Sequence, residues 1–166
     1  MIAVYTGIEP KRRRKRPKAF LSYRRLDSAD VTGRLYDRFA DALGSRRIIH
    51  DVHSIPPGVD FRDFIEAVIP TCTVMLVIIG PDWMPAPPRK AARRSKPVKE
   101  DLVRLEIMCA LEHGIPVIPV LVRGAKLPTA QSLPRELRGL LRRNAVRLRE
   151  DPHFRGDADR LIAHIR

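Results

Sequence analysis

The chain has 166 residues, 44% of them hydrophobic, and a formal net charge of +13. That length bounds it to one domain, able to bury roughly two thirds of the surface its unfolded chain exposes. No apolar run approaches the roughly 20 residues that cross a bilayer, so no transmembrane segment is expected.

The charge points to nucleic acid only until it is located. Lys11 to Lys18 carries seven basic residues and no acid, and Met84 to Lys99 carries six more and no acid. Removing these thirteen leaves 19 basic residues against 19 acidic ones, a neutral remainder. The excess lies on an N-terminal stretch and a Pro/Ala-rich loop. Such segments attract phosphate backbones or anionic lipid without sequence specificity. The simpler reading is a solvated tail and loop, with no specific nucleic acid partner.

Residues 1–17 show no periodicity and read as a disordered basic tail, followed by one folded domain over 18–166. The tail is weakly apolar first and basic afterwards, the reverse of a secretory signal. Cys72 and Cys109 fall in segments that read as buried, the pattern of reduced thiols in a cytoplasmic protein.

Phe20 to Tyr23 is the first strand. Asp27, Ser28 and Asp30 offer cap and first-turn acids for a helix whose apolar face is Val31, Leu35, Phe39 and Ala42, closed by Gly44. Ile48 and Ile49 begin a second strand ending at His50-Asp51. A loop with two prolines and a glycine follows, from Val52 to Asp60. Asp60 caps a second helix with Phe61, Phe64, Ile65 and Val68 on one side. Thr73 to Ile79 is an unbroken apolar run, as in a central parallel strand covered on both faces.

Gly80-Pro-Asp-Trp83 leaves that strand and opens the basic loop. Asp101 to His113 is a third helix with a buried stripe of Val103, Ile107, Ala110 and Leu111. Val117 to Val122 is a fourth strand, in which Pro119 removes a ladder donor and so suits a bulge or an edge. Leu137, Leu140 and Leu141 mark a fourth helix, Ala145 to Leu148 a fifth strand, and Leu161, Ile162 and Ile165 a last helix. Five strands alternating with five helices imply an α/β fold, a doubly wound parallel sheet in the order 2-1-3-4-5 with helices on both faces.

In that order the first strand lies at the switch point, where such sheets bind ligands beyond the strands' carboxyl ends. Tyr23, Arg24 and Arg25 stand there. Two guanidiniums and a phenol suit a crevice that receives an anion or an aromatic ring.

Several occupants of the fold are excluded. A phosphate-receiving regulator needs an aspartate at the end of strand three, where this chain has Ile79-Gly80. A flavodoxin needs a Ser/Thr-rich phosphate loop after strand one, and there is no G-x-G-x-x-G or P-loop. His50, Asp51 and His53 lack a further ligand cluster, so no metal is expected, and Asp51 reads as an organiser of the loop that follows it and as a candidate substrate-binding residue.

Phe20-Leu-Ser-Tyr-Arg-Arg25, Asp51-Val-x-Ser-Ile-Pro-Pro-Gly58, Ile79-Gly-Pro-x-Trp83 and Asp101-Leu-Val-Arg-Leu-Glu-Ile107 together resemble a bacterial Toll/interleukin-1 receptor (TIR) domain. Val117-Ile-Pro-Val-Leu-Val122 and Leu133-Pro134 continue the likeness, which covers about residues 18–166. It implies a flavodoxin-like fold, in agreement with the alternation of elements. It also implies a self-association loop at Ser54, Ile55, Pro56, Pro57 and Gly58, with other TIR domains as homotypic partners.

Members of that family either act as scaffolds in signal transduction or cleave NAD⁺ at the nicotinamide–ribose bond with a glutamate on the third helix. The resemblance places Glu106 at that catalytic position, Arg24 and Arg25 at the dinucleotide-contacting pair, and Pro56 on the substrate side of the loop. NAD⁺ is then a substrate, and no cofactor is implied. Tyr23 and Trp83 are candidates for stacking on its rings, although core filling is the simpler role for Trp83.

The residues give a parallel account of Glu106. It lies three residues after Val103 and four before Ala110, bordering the buried stripe. The simpler alternative is a half-exposed glutamate paired with Arg104 or a nearby base. The chain departs from relatives in having Leu102 where an aromatic is common, and in its Pro- and Arg-rich loop 84–99. The expected function is an NAD⁺ glycohydrolase or cyclase (an NAD⁺ nucleosidase, a hydrolase of N-glycosyl bonds) in prokaryotic immune defence or effector signalling, switched on by self-assembly. The alternative is a non-catalytic TIR scaffold working through protein–protein interaction.

Overall fold

A computed structural model describes residues 17–50, 55, 57–84 and 101–166. The basic tail through residue 16, the loop 85–100, and Asp51, Ser54 and Pro56 of the site expectations lie outside the described residues.

Five strands form one parallel sheet in the order β2-β1-β3-β4-β5: β1 Ala19–Tyr23, β2 Ile48–Ile49, β3 Val74–Ile79, β4 Val117–Val122 and β5 Val146–Leu148. β3 is buried at every position, because helices cover both faces of a central parallel strand. In the register, Ser22 stands beside Val77 and Tyr23 beside Ile78, so β1 and β3 reach the carboxyl edge together. Pro119 stands beside Val77, whereas β5 pairs with β4 only from Val120 onward. The missing donor thus falls where β4 has a strand on one side, so no bulge is required.

Two apolar layers sandwich the sheet. On one face, Phe20, Met75, Val77 and Ile79 pack against α2 (Phe61–Val68), α3 (Leu102–Glu112) and the segment 135–142. On the other, Leu21, Leu76 and Ile78 pack against α1 (Arg25–Leu43) and α4 (Phe154–Ile165). Consecutive residues of β1 therefore serve opposite layers, as the two-residue period of a strand demands.

Two expectations need correction. The fourth helix is a 3-10 helix, Arg135–Arg142, so the chain has four α-helices among its described residues. Leu137 and Leu140 are three residues apart and both buried, a repeat that a three-residue turn stacks on one side. Gly139 lets the segment press on α3, since a Cβ there would lie 3.3 Å from Leu111.

The second correction concerns the start of α1. Ser28 is non-helical (φ −148°, ψ 24°), so a single turn precedes the kink. Asp27 does not cap the helix. It turns inward and accepts from the backbone N–H groups of Gly80 and Asp82, each at 2.8 Å, fixing the exit of β3. By contrast, Asp60 caps α2 as expected, accepting from Arg62 N–H at 2.7 Å.

Candidate functional site

The site is built where β1 meets α3. Ser22 on β1 and Arg24, the extended residue just past its end, lie two residues apart, about 6.6 Å along an extended chain, and face the same layer. Asp101 and Glu106 lie five residues apart on α3, about 7.5 Å along a helix axis. The matching lengths allow two contacts in parallel. The Arg24 guanidinium forks onto the Asp101 carboxylate at 2.6 and 3.0 Å. One layer deeper, the Ser22 hydroxyl donates to Glu106 Oε2 at 2.6 Å.

Asp101 has a second task. Its side chain accepts from the backbone N–H of Arg104 and caps α3. The cap favours helix formation from Leu102 onward and stations Glu106 in the second turn. Glu106 is 4% exposed and Ser22 1% exposed, so the carboxylate sits deeper than a position bordering the stripe suggests. The pairing of Glu106 with Arg104 that the simpler reading foresees is replaced by an ion pair of Arg104 with Glu136.

Trp83 is 1% exposed and fills the core behind this contact. The Arg24 guanidinium carbon lies 5.4 Å from the Trp83 ring centroid, within cation–π reach. Trp83 is therefore both core and support for the arginine. Arg24 Nε and Trp83 Nε1 are buried and have no acceptor among the described residues.

The remaining expected residues are distributed around the mouth. Tyr23 is half-buried and packs on the α1/α4 side, away from Glu106. Arg25 begins α1 and is exposed. Ile55 packs against the α2/α3 layer, while Pro57 and Gly58 are exposed and Gly58 has φ +84°. The structure thus brings Arg24, Trp83 and Glu106 together and sets Tyr23 apart. His50 stacks on Tyr36, with ring centroids 4.2 Å apart.

Ser22, Asp101 and Asp27 are the residues whose part at this edge the sequence reading missed. The signal for Ser22 was available: it is the polar residue in an apolar strand, on the same side as Phe20. Asp27 is joined by Arg123, which donates to its backbone carbonyl at 2.8 Å and pairs with Asp30.

A separate cleft of about 370 Å³ lies between α2 and α3, with Cys109 Sγ 3.6 Å from His113 Nδ1 on its wall. Burial, with Glu112 and Glu66 adding repulsion, pushes the Cys109 thiol up. It is poorly suited to act as a nucleophile.

A five-stranded parallel sheet in this order, with helices on both faces, defines a flavodoxin-like α/β domain. The family model for the TIR domain matches residues 19–162, and the chain belongs to that family. No curated protein matches it. No helix among the described residues is long and apolar enough to cross a membrane.

Proposed function

We propose that this TIR domain cleaves NAD⁺ between nicotinamide and ribose, as a glycohydrolase or cyclase activated by self-assembly in a prokaryotic defence or effector pathway. The observation that carries the reading is the fixed carboxylate of Glu106, held at 2.6 Å by Ser22 beneath an arginine at the sheet's ligand-binding edge. The diphosphate binds at Arg24 and Arg25, which directs the nicotinamide ribose inward. The C1′–N bond breaks with its electron pair leaving on nitrogen, so the pyridinium departs as neutral nicotinamide and no general acid is needed. The developing oxocarbenium ion is stabilised by the Glu106 carboxylate. Water adding to C1′ and losing a proton gives ADP-ribose, and attack from the adenine end gives a cyclic isomer.

Self-assembly is supported by the loop before α2, where Val59 is an exposed large apolar residue (45%) next to Gly58. TIR–TIR contact through that loop completes the site from a neighbour.

The scaffold reading also has an observation in its favour. Glu106 is nearly inaccessible, and Arg24 is already paired with Asp101. Incubating the purified protein with NAD⁺ and separating nicotinamide, ADP-ribose and cyclic products decides between them. Products that form with wild type and vanish with Glu106→Gln establish the enzyme, and no products at any protein concentration establish the scaffold.

A further inference from the structure

We propose that Ser22 is a positioning residue that holds the Glu106 carboxylate in its charged form and in one orientation; the proposal rests on the reading of Glu106 as the reacting carboxylate. A carboxylate 4% exposed loses nearly all its hydration. It stays charged only if protein donors replace the lost water. The Ser22 hydroxyl is one such donor, at 2.6 Å, a length typical of a charge-assisted O–H···O⁻ bond. Because Ser22 is itself 1% exposed and stands in the strand beside Val77 of β3, its Oγ has little freedom to move. The bond therefore fixes Glu106 against the sheet and not against a mobile loop.

The contact spans 84 residues of chain and joins the strand that leads into Arg24 to the helix that carries Glu106. A substrate anchored at the end of β1 is thereby registered against a carboxylate anchored two residues earlier on the same strand. Positioning of this kind affects turnover more than binding, since the oxocarbenium charge exists only at the transition state.

Other charges near α3 are the same with or without the hydroxyl. At its N-terminal end Arg24 is forked onto Asp101. On the side of the segment 135–142, Arg104 pairs with Glu136. Towards α2, Arg62, Glu66, Glu112 and His113 line the separate cleft. A change confined to Oγ thus isolates the contribution of Ser22.

The test compares wild type, Ser22→Ala and Ser22→Thr as full chains. The first readout is the titration of the Glu106 carboxyl carbon by ¹³C NMR, assigned by its loss in Glu106→Gln. Removing a donor to the charged form shifts the midpoint upward in Ser22→Ala, and Ser22→Thr, which restores a hydroxyl, returns it toward wild type. The second readout is NAD⁺ cleavage. Ser22→Ala lowers kcat about tenfold or more with little change in KM. An unshifted midpoint in a folded Ser22→Ala protein overturns the proposal, whatever the rate. A wild type that never cleaves NAD⁺ overturns the catalytic reading alone, and a shifted midpoint in that protein still supports Ser22 as the group that sets the charge of Glu106.

Discussion

The Arg24 guanidinium and the Asp101 carboxylate form a two-bonded fork at the mouth of the crevice, half-buried and backed by Trp83. On the proposed reading, Asp101 occupies the position that a substrate phosphate needs. Binding a diphosphate at Arg24 exchanges one anion for another, which weakens binding by whatever the internal pair contributes. Asp101→Asn removes the competing charge and keeps a good N-cap for α3. The expected outcome is an unchanged fold and a KM for NAD⁺ several-fold lower. Arg24→Ala raises KM about tenfold with kcat nearly constant, because the lost contact exists in ground and transition states alike. A KM that rises in Asp101→Asn would show that the aspartate orients Arg24 for the substrate instead of competing for it.

Glu106→Gln keeps the shape of the side chain and an acceptor for Ser22, so thermal stability stays near that of wild type. A neutral amide does not stabilise an oxocarbenium ion. NAD⁺ cleavage falls by about 10²–10⁴. The measurement is single-turnover nicotinamide release beside a melting curve, and an undiminished rate removes Glu106 from the chemistry.

Gly80 and Asp27 form a second close pairing at the same edge. A Cβ on Gly80 would lie 2.5 Å from an Asp27 carboxylate oxygen, which is closer than such atoms approach. That carboxylate holds Gly80 N–H and Asp82 N–H, so displacing it leaves the turn below Trp83 without its acceptor. Gly80→Ala is expected to cost about 1–3 kcal/mol by urea denaturation. Asp27→Ala alone is also destabilising, but the double variant costs clearly less than the two added together, since both break one contact. Simple additivity would mean that the two residues act separately.

Asp157 on α4 is buried and accepts from the backbone and side chain of Arg149, with Arg160 adding a further pair. The hydrogen bonds from Arg149 hold its carboxyl far below the usual range, against the effect of burial. A carboxyl group whose folded pKa is depressed contributes stability above its unfolded pKa, near 3.9, and loses it as pH falls through the folded value. Asp157→Asn should therefore melt several degrees below wild type from neutral pH down to about pH 4. The gap closes only in stronger acid, and a gap that closes between pH 7 and 5 would assign the effect to another group.

The sheet order was legible because β3 and β4 are unbroken apolar runs and each connection is long enough to cross the sheet. Asp60 as a cap was legible for the same local reason. The 3-10 segment was not, because leucines at positions 137, 140 and 141 fit an α-helix and a tighter turn alike until Gly139 is seen against Leu111. Arg24 and Glu106 were singled out through the resemblance and the strand-end position. Their partners Asp101 and Ser22 depend on how α3 lies along β1, a tertiary fact that spacing within either segment does not contain. The same limit applied to Asp27, whose place at a helix start suggests a cap although its partners lie 53 and 55 residues away.

Gly58 bears on assembly. Its φ of +84° lies in the left-handed region, and nothing stands within 4 Å of where a Cβ would be. A side chain there meets open space, so the cost of substitution falls on the backbone of the loop and not on the core. Gly58→Val adds a β-branched residue at that angle and reshapes the loop, while the sheet and α2 stay folded. Pro57 beside it restricts the loop, which in the proposed assembly lowers the entropic cost of docking Val59 on a neighbour. In the proposed assembly a head-to-tail contact whose rotation does not close builds filaments. Specific NAD⁺-cleaving activity is therefore expected to rise with protein concentration in wild type and to remain low at all concentrations in Gly58→Val, with matching sedimentation profiles. Equal specific activity in both proteins, independent of concentration, would mean that the monomer already holds a complete site.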